Sequence, residues 1–319
     1  MATYKEIHGI KVQYRDSDAP EIEGDVWYNS STGKLRMYAA LGSWASGGTM
    51  NTGVSVISGS GSQTAGLSAG GEVGPPTTYG NSEEYNGSAW TAGGNLTSAR
   101  AQLASTGSAG SQTAALCFLG RTAPGAVAIV EQYDGSSWTE IADCNTARRA
   151  TPGGSGTTTA CIAFGGGTPG DQKVIAESWN GTSWTEVADL STGRINLANA
   201  GDSGTSALCI GGLTPSATAT VEKWNGTSWT EVGDLNTARG GLSGAGGSTA
   251  AIAFGGPSAT ITEQYDGTSW AEVADLPTNK TDAAGTGTST AALSFGGAGP
   301  VDTTEEWSFS ASVETVAFD

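Results

Sequence analysis

The chain has one histidine in 319 residues, His8, and that scarcity removes whole classes of chemistry. A Ser-His-Asp triad would have to use His8, and no nucleophile-elbow motif supports it. A pair of histidine metal ligands cannot be assembled, and no His/Cys group has zinc spacing. Cations are scarce as well: 14 Lys+Arg face 31 Asp+Glu, for a formal net charge of −17. Such a surface repels phosphate backbones, so no nucleic-acid partner is expected, and the charge reads as solubility. Long apolar runs are missing, which argues against membrane insertion. The opening Met-Ala-Thr-Tyr-Lys-Glu-Ile-His lacks the apolar core of a signal peptide, so synthesis in the cytoplasm is expected. Helical periodicity is missing too. Of the four cysteines, Cys117, Cys161 and Cys209 fall in the equivalent apolar strand of three different units, where cysteine serves as a small buried hydrophobe. No disulfide, metal or cofactor is expected.

What the chain has is a period. Glu83/Tyr85, Glu131/Tyr133, Glu177/Trp179, Glu222/Trp224, Glu263/Tyr265 and Glu305/Trp307 repeat a Glu-x-aromatic triplet at steps of 48, 46, 45, 41 and 42 residues. Steps in the forties with Gly and Trp markers signal an array of β units. The 50 glycines therefore punctuate short strands and do not indicate disorder. One unit runs from the apolar Thr249–Phe254 into Gly255-Gly256. A loop follows, then Ile261, Glu263 and Tyr265 alternate with period two, as on a strand. Tight-turn pairs come next: Asn86-Gly87, Asp134-Gly135, Asn180-Gly181, Asn225-Gly226 and Asp266-Gly267. Each leads into a Trp strand: Trp90, Trp138, Trp184, Trp229 and Trp270. Ten residues on stands a cation: Arg100, Arg148, Arg194, Arg239 or Lys280. Each unit thus predicts four antiparallel strands, and runs ending near Gly71, Gly120, Gly166, Gly212, Gly256 and Gly297 make six.

The double Gly, the Glu-x-aromatic, the Trp and the following Arg resemble the kelch repeat over roughly residues 44–310. Gly120-Arg121 departs from the double Gly. The resemblance implies an all-β, six-bladed kelch-type β-propeller with Gly-rich strands toward a central channel and Trp strands outside. The sixth triplet, Glu305/Trp307, lacks a Trp strand after it, whereas Leu41-Gly-Ser-Trp44 lies 46 residues before Trp90. Trp44 is therefore expected to complete the sixth unit, an N-to-C closure that hides sheet edges. Val54 stands where other units carry the cation.

Asp25–Asn29 and Lys34–Tyr38 flank Ser30-Ser-Thr-Gly33 and predict a β-hairpin, with Ile7, Ile10, Val12 and Tyr14 suggesting one more short strand. Residues 23–38 resemble a short module of tail-fibre and other structural proteins of tailed bacteriophages, and residues 310–319 resemble tails that follow kelch-like repeats there. The expected organisation is a docking hairpin over residues 1–40, a propeller over 41–310 and a tail over 311–319. The resemblance implies a virion protein without enzymatic activity, made in the host cytoplasm and part of the tail, fibre or adsorption apparatus. Its partners would be other virion proteins through the N-terminal module, a host-surface glycan or protein, or further copies of itself. The alternatives are a soluble carbohydrate-binding or scaffolding propeller and a glycosidase-type enzyme.

Residues that recur in every unit are scaffold, because active sites break symmetry. This covers Glu83, Glu131, Glu177, Glu222, Glu263 and Glu305, with Trp44, Trp90, Trp138, Trp184, Trp229 and Trp270. Arg100, Arg148, Arg194 and Arg239 join them, each expected to bridge to a Glu or to turn carbonyls. No catalytic residue and no metal ligand is assigned. Binding residues are sought in the unlike loops after the Gly-Gly strands: Pro75, Pro76, Tyr79, Arg121, Asp171, Lys173 and Asp302.

Overall fold

The structure, a computed structural model, describes residues 13–16, 26–74, 77–123, 125–151, 153–168 and 170–315. Pro75, Pro76, His8, Ile7, Ile10, Val12 and the tail beyond 315 lie outside them. The described residues form strands, turns and loops and no helix. They fall into two compact units, one of residues 44–307 and one joining residues of 1–43 to residues of 308–319.

The 44–307 unit is a succession of antiparallel sheets whose strands follow chain order. The first sheet holds Ser58–Ser62, Ala65–Ala69, Ser82–Tyr85 and Trp90–Ala92. The second holds Ala104–Ser105, Ala115–Phe118, Val130–Tyr133 and Trp138–Ile141. Gly153–Gly156, Cys161–Phe164, Ala176–Trp179 and Trp184–Glu186 make the third. Ala198–Ser203, Ser206–Ile210, Val221–Trp224 and Trp229–Glu231 make the fourth. Ser243–Gly246, Ala251–Phe254, Thr262–Tyr265 and Trp270–Val273 make the fifth. In the sixth, Ala284–Gly287 and Ala291–Phe295 are followed by Thr304–Thr315, and the next place is taken by Lys34–Ser46 from the start of the chain.

Local chemistry explains these elements. Each second strand is buried over at least four consecutive residues, and Cys161–Phe164 along its whole length, which suits a continuous apolar run covered on both faces. Third strands alternate: in Val130–Tyr133 the first, second and fourth residues are buried and Gln132 is partly exposed. The turn into the fourth strand is set by Asn or Asp. Asn86 Oδ1 accepts the Ser88 and Ala89 amides at 3.0 and 2.9 Å, and Gly87 takes φ +90°, which glycine adopts without strain. In Asp134 the same amides, Ser137 first and Ser136, with the Ser136 hydroxyl, pull the carboxyl pKa down to about 2.

Apolar cores lie between consecutive sheets. One packs Leu67, Leu96 and Leu103 with Tyr133 and Trp138 between the first and second, and another joins Leu208 and Val221 to Tyr265 and Trp270 between the fourth and fifth. Each fourth-strand Trp packs on the aromatic of its own third strand: Tyr85–Trp90, Tyr133–Trp138, Trp179–Trp184, Trp224–Trp229 and Tyr265–Trp270 have centroids 4.9–5.4 Å apart. Trp44 repeats this with Trp307 at 5.4 Å. A Phe of the preceding sheet meets the same Trp, as Phe118 meets Trp184 and Phe164 meets Trp229. Trp44 meets Phe254 of the fifth sheet at 4.9 Å, and Trp90 meets Phe295 of the sixth at 4.9 Å. The first sheet therefore packs against both the second and the sixth.

In the other unit Gln13–Arg15 pairs parallel with Val26–Asn29, which pairs antiparallel with the start of Lys34–Ser46. Residues 30–33 form the turn, where Asn29 Oδ1 accepts the Ser31 and Thr32 amides and Gly33 has φ +68°. Trp27 is fully buried, with the Arg15 guanidinium 5.3 Å from its ring centroid.

Candidate functional site

The six repeated Glu are all buried, and each is held by the connector that leads into its own sheet. Every connector carries a buried residue at one position: Met50, Leu96, Cys144, Leu190, Leu235 or Leu276. In five of them the amides just after it point at the carboxylate; in the sixth, where Pro277 follows Leu276, the Thr278 hydroxyl donates to Glu305 at 2.7 Å. Glu263 accepts Asn236 N and Nδ2 at 2.6 and 2.8 Å. Glu222 accepts Ser191 N at 2.8 Å, and Glu131 accepts Thr97 N at 2.6 Å. The cation sits on the other oxygen. Arg100 bonds Glu131 at 2.9 Å, Arg239 bonds Glu263 at 2.9 Å, Arg148 bonds Glu177 at 2.5 Å, and Arg194 bonds Glu222. The guanidinium also reaches backbone carbonyls: Arg239 donates to Gly255 and Ile261 at 2.9 and 2.8 Å, and Arg100 to Leu119 and Ile129 at 3.1 and 2.7 Å. Lys280 lies 3.5 Å from Glu305 and donates to the Thr303 carbonyl at 2.8 Å; burial lowers its pKa and Glu305 opposes that. Glu83 has Val54 where a cation would stand, and accepts Asn51 N, Asn51 Nδ2 and Thr52 N at 2.8, 2.9 and 3.1 Å. All these groups are buried and serve the junctions between chain segments.

Antiparallel pairing puts the loops between second and third strands, and the sheet-to-sheet connectors, on one face. Among the loop residues singled out from the sequence, Tyr79 is partly buried; its hydroxyl contacts Thr52 Oγ1 at 3.1 Å and accepts from Asn81 Nδ2 at 2.8 Å. Asp171 is exposed and paired with Lys173 at 2.8 Å, and Asp302 is exposed. Arg121 is not a presented side chain: it is buried and paired with Glu72, an acid the sequence reading passed over. These residues do not converge on one pocket.

On that face the sequence reading missed a second repeat. Val56, Gln102, Ala150, Asn196, Gly241 and Asp282 all have positive φ, between 47° and 64°. They are linked head to tail through the backbone. Gln102 N donates to Val56 O, Asn196 N to Ala150 O, Gly241 N to Asn196 O, Asp282 N to Gly241 O and Val56 N to Asp282 O, all at 2.8–2.9 Å. Beneath them is a cavity of about 60 Å³, lined by five of the six sheets and by Thr151 of the connector into the third, and including Ser58, Ser105, Asn199, Ser243 and Asp282. That volume holds a few waters and admits no sugar ring. Burial, with the nearby Glu72 charge adding to it, pushes the Asp282 carboxyl up to about 6. In the first strands, polar side chains of two sheets take over where others have glycine: Ser105 donates to the Gly59 carbonyl at 2.7 Å and Asn199 to the Gly154 carbonyl at 2.6 Å.

The four cysteines are free and buried, and burial raises the Cys117 and Cys209 thiols to about 12 and about 11. Among the described residues no group of three or more His, Cys, Asp or Glu is placed to hold a metal ion. No protein-family model matches the chain, and no curated protein sequence matches it.

Proposed function

We propose that residues 44–310 form a six-bladed, kelch-like β-propeller closed by the Trp44 strand, and that the chain is a non-enzymatic structural or adhesive protein of a tailed-phage particle. The propeller part is supported by the sheet order and by the Trp90–Phe295 and Trp44–Phe254 contacts, which repeat the packing of the other junctions. The observation that carries a binding role over a catalytic one is how the repeat is used: each repeated Glu, cation and Trp is spent on a sheet junction. What remains variable is a face of unlike loops on a rigid frame, the usual arrangement of a recognition surface. The one raised carboxyl near the axis, Asp282, borders a cavity too small for a glycoside substrate. The virion reading rests on the resemblance of residues 23–38 and 310–319 to phage structural proteins, and the docking role belongs to the hairpin unit.

Two measurements test it. The polypeptide should co-sediment with infectious particles through a density gradient; recovery in the soluble lysate alone overturns the virion reading. On a glycan array, binding should fall when Tyr79, Asp171, Lys173 and Asp302 are changed to Ala. Binding that survives all four moves recognition away from this face. Closure has its own test: Trp44→Ala should lower the melting temperature sharply, and an unchanged melt refutes it.

A further inference from the structure

The face opposite the loops carries the hairpins between first and second strands, and one of them is longer. Ser105 pairs with Cys117, twelve positions on, whereas the matching Gly154–Ala163 and Gly244–Ala253 pairs are nine apart. The extra residues turn toward the other sheets. Gly107 O accepts from Gly61 N of the first sheet at 3.3 Å, and Thr106 O accepts from Gly156 N of the third at 3.2 Å. Ser108 Oγ accepts from Gly246 N of the fifth at 3.2 Å, 138 residues away in sequence. A Cβ on Gly107 would stand 3.1 Å from Asn199 Nδ2 of the fourth. The loop is thus bonded into three other sheets and packed against a fourth.

Between its tip and the hairpins of the fourth, fifth and sixth sheets lies a second cavity of about 360 Å³. Ser108, Asp202, Thr249, Thr288 and Ser289 contribute to its wall, which includes no Lys, no Arg and no aromatic residue among the described residues. Asp202 is fixed: Oδ2 accepts Ser248 N at 2.9 Å, and any side chain at Gly247 would overlap its carboxylate. Its other oxygen and the Thr249 hydroxyl remain available. A wall without cations does not select phosphates or carboxylates, and one this polar does not select an apolar ligand. One rigid carboxylate with several hydroxyls suits adjacent hydroxyl groups, which donate to carboxylate oxygens and exchange hydrogen bonds with Ser and Thr.

We propose that this cavity is a binding site for a neutral polyol, the size of one sugar unit, on the face opposite the variable loops. Asp202 accepts from the ligand's hydroxyls, Thr249 and Ser289 flank it, and the 106–114 loop forms the floor. The site does not depend on the loop face or on the virion reading. It is tested by titrating the full chain with glucose, galactose and mannose while following amide chemical shifts. The expected result is saturable shifts at Gly246, Gly247, Thr249 and Thr288 with at least one sugar. Asp202→Asn keeps the acceptor for Ser248 N and should weaken that binding about tenfold or more, as expected for one charge-assisted hydrogen bond. Thr249→Val should weaken it less. Absence of shifts with all three sugars, shifts confined to the loop face, or unchanged affinity in a folded Asp202→Asn overturns the proposal. A stronger response to lysine methyl ester than to any sugar also overturns it, because the carboxylate then serves a cation.

Discussion

The first sheet and the fifth solve the same problem with different parts. In both, a buried Glu receives amides from the connector before it: Asn51 and Thr52 for Glu83, Asn236 and Thr237 for Glu263. The fifth adds Arg239, which spans carboxylate and two carbonyls; the first has Val54 and no cation. The comparison separates two roles. Three N–H donors are enough to keep a buried carboxylate satisfied. The guanidinium is then an extra tie between the connector and the second-to-third loop, and it commits the site: the buried cation needs its carboxylate, and a carboxylate with fewer amides than Glu83, such as Glu222 with the Ser191 amide, needs its cation.

The largest effect should come from breaking such a tie on one side. Arg194→Ala strands Glu222 and should cost about 3–5 kcal/mol in denaturant unfolding, while the double variant Arg194→Met/Glu222→Leu should lose less than the single change. A loss within about 0.5 kcal/mol for Arg194→Ala would make the arginines ordinary surface charges. Glu83→Gln strands no cation and keeps one acceptor oxygen. It should cost about 1–2 kcal/mol, clearly less than Glu263→Gln measured the same way. Equal losses would mean that the cation adds nothing to the fifth sheet.

The positive-φ repeat offers a subtler contrast, because Asp282 occupies a place that Asn196 and Gly241 fill without charge. Its carboxyl is raised by burial and by Glu72, whose own partner is Arg121. A raised acid favours the folded state fully below the unfolded value near 3.8, and that contribution is lost as pH rises through about 6. Asp282→Asn should therefore raise the melting temperature at pH 7 and leave it nearly unchanged near pH 4. No gain at pH 7 would place the charge in water. The smallest effect concerns thiols: with Cys117 and Cys209 titrating near 12 and 11, a thiol reagent at pH 8 should modify neither before unfolding.

Much of the scaffold is legible in the sequence because it is written in residues with few alternatives. A buried Glu needs donors, Asn-Gly or Asp-Gly bends in one way, and a Trp five residues past an aromatic packs on it; even the missing sixth Trp could be sought at the other end. The positive-φ repeat and the longer hairpin left no such mark. Positive φ falls on Val56, Gln102 and Ala150, types that do not announce it, because backbone bonds from neighbouring sheets impose the conformation. The longer 106–114 hairpin is made almost wholly of the same Gly, Ser, Thr and Ala as the other turns, so its path toward the other sheets depends on contacts far away in sequence. Arg121 misled for the same reason: its partner Glu72 is 49 residues away and outside the repeat.

The five Asn-Gly or Asp-Gly turns have a practical consequence. Asn86, Asp134, Asn180, Asn225 and Asp266 are exposed, begin near-identical turns, and lie at the same end of their sheets. A short peptide grafted at each would be displayed five times on one rigid polypeptide, at fixed spacings and without any oligomerisation. A ligand too weak to hold as a single copy could then be retained through several simultaneous contacts, because each further contact forms within one complex at a high effective concentration.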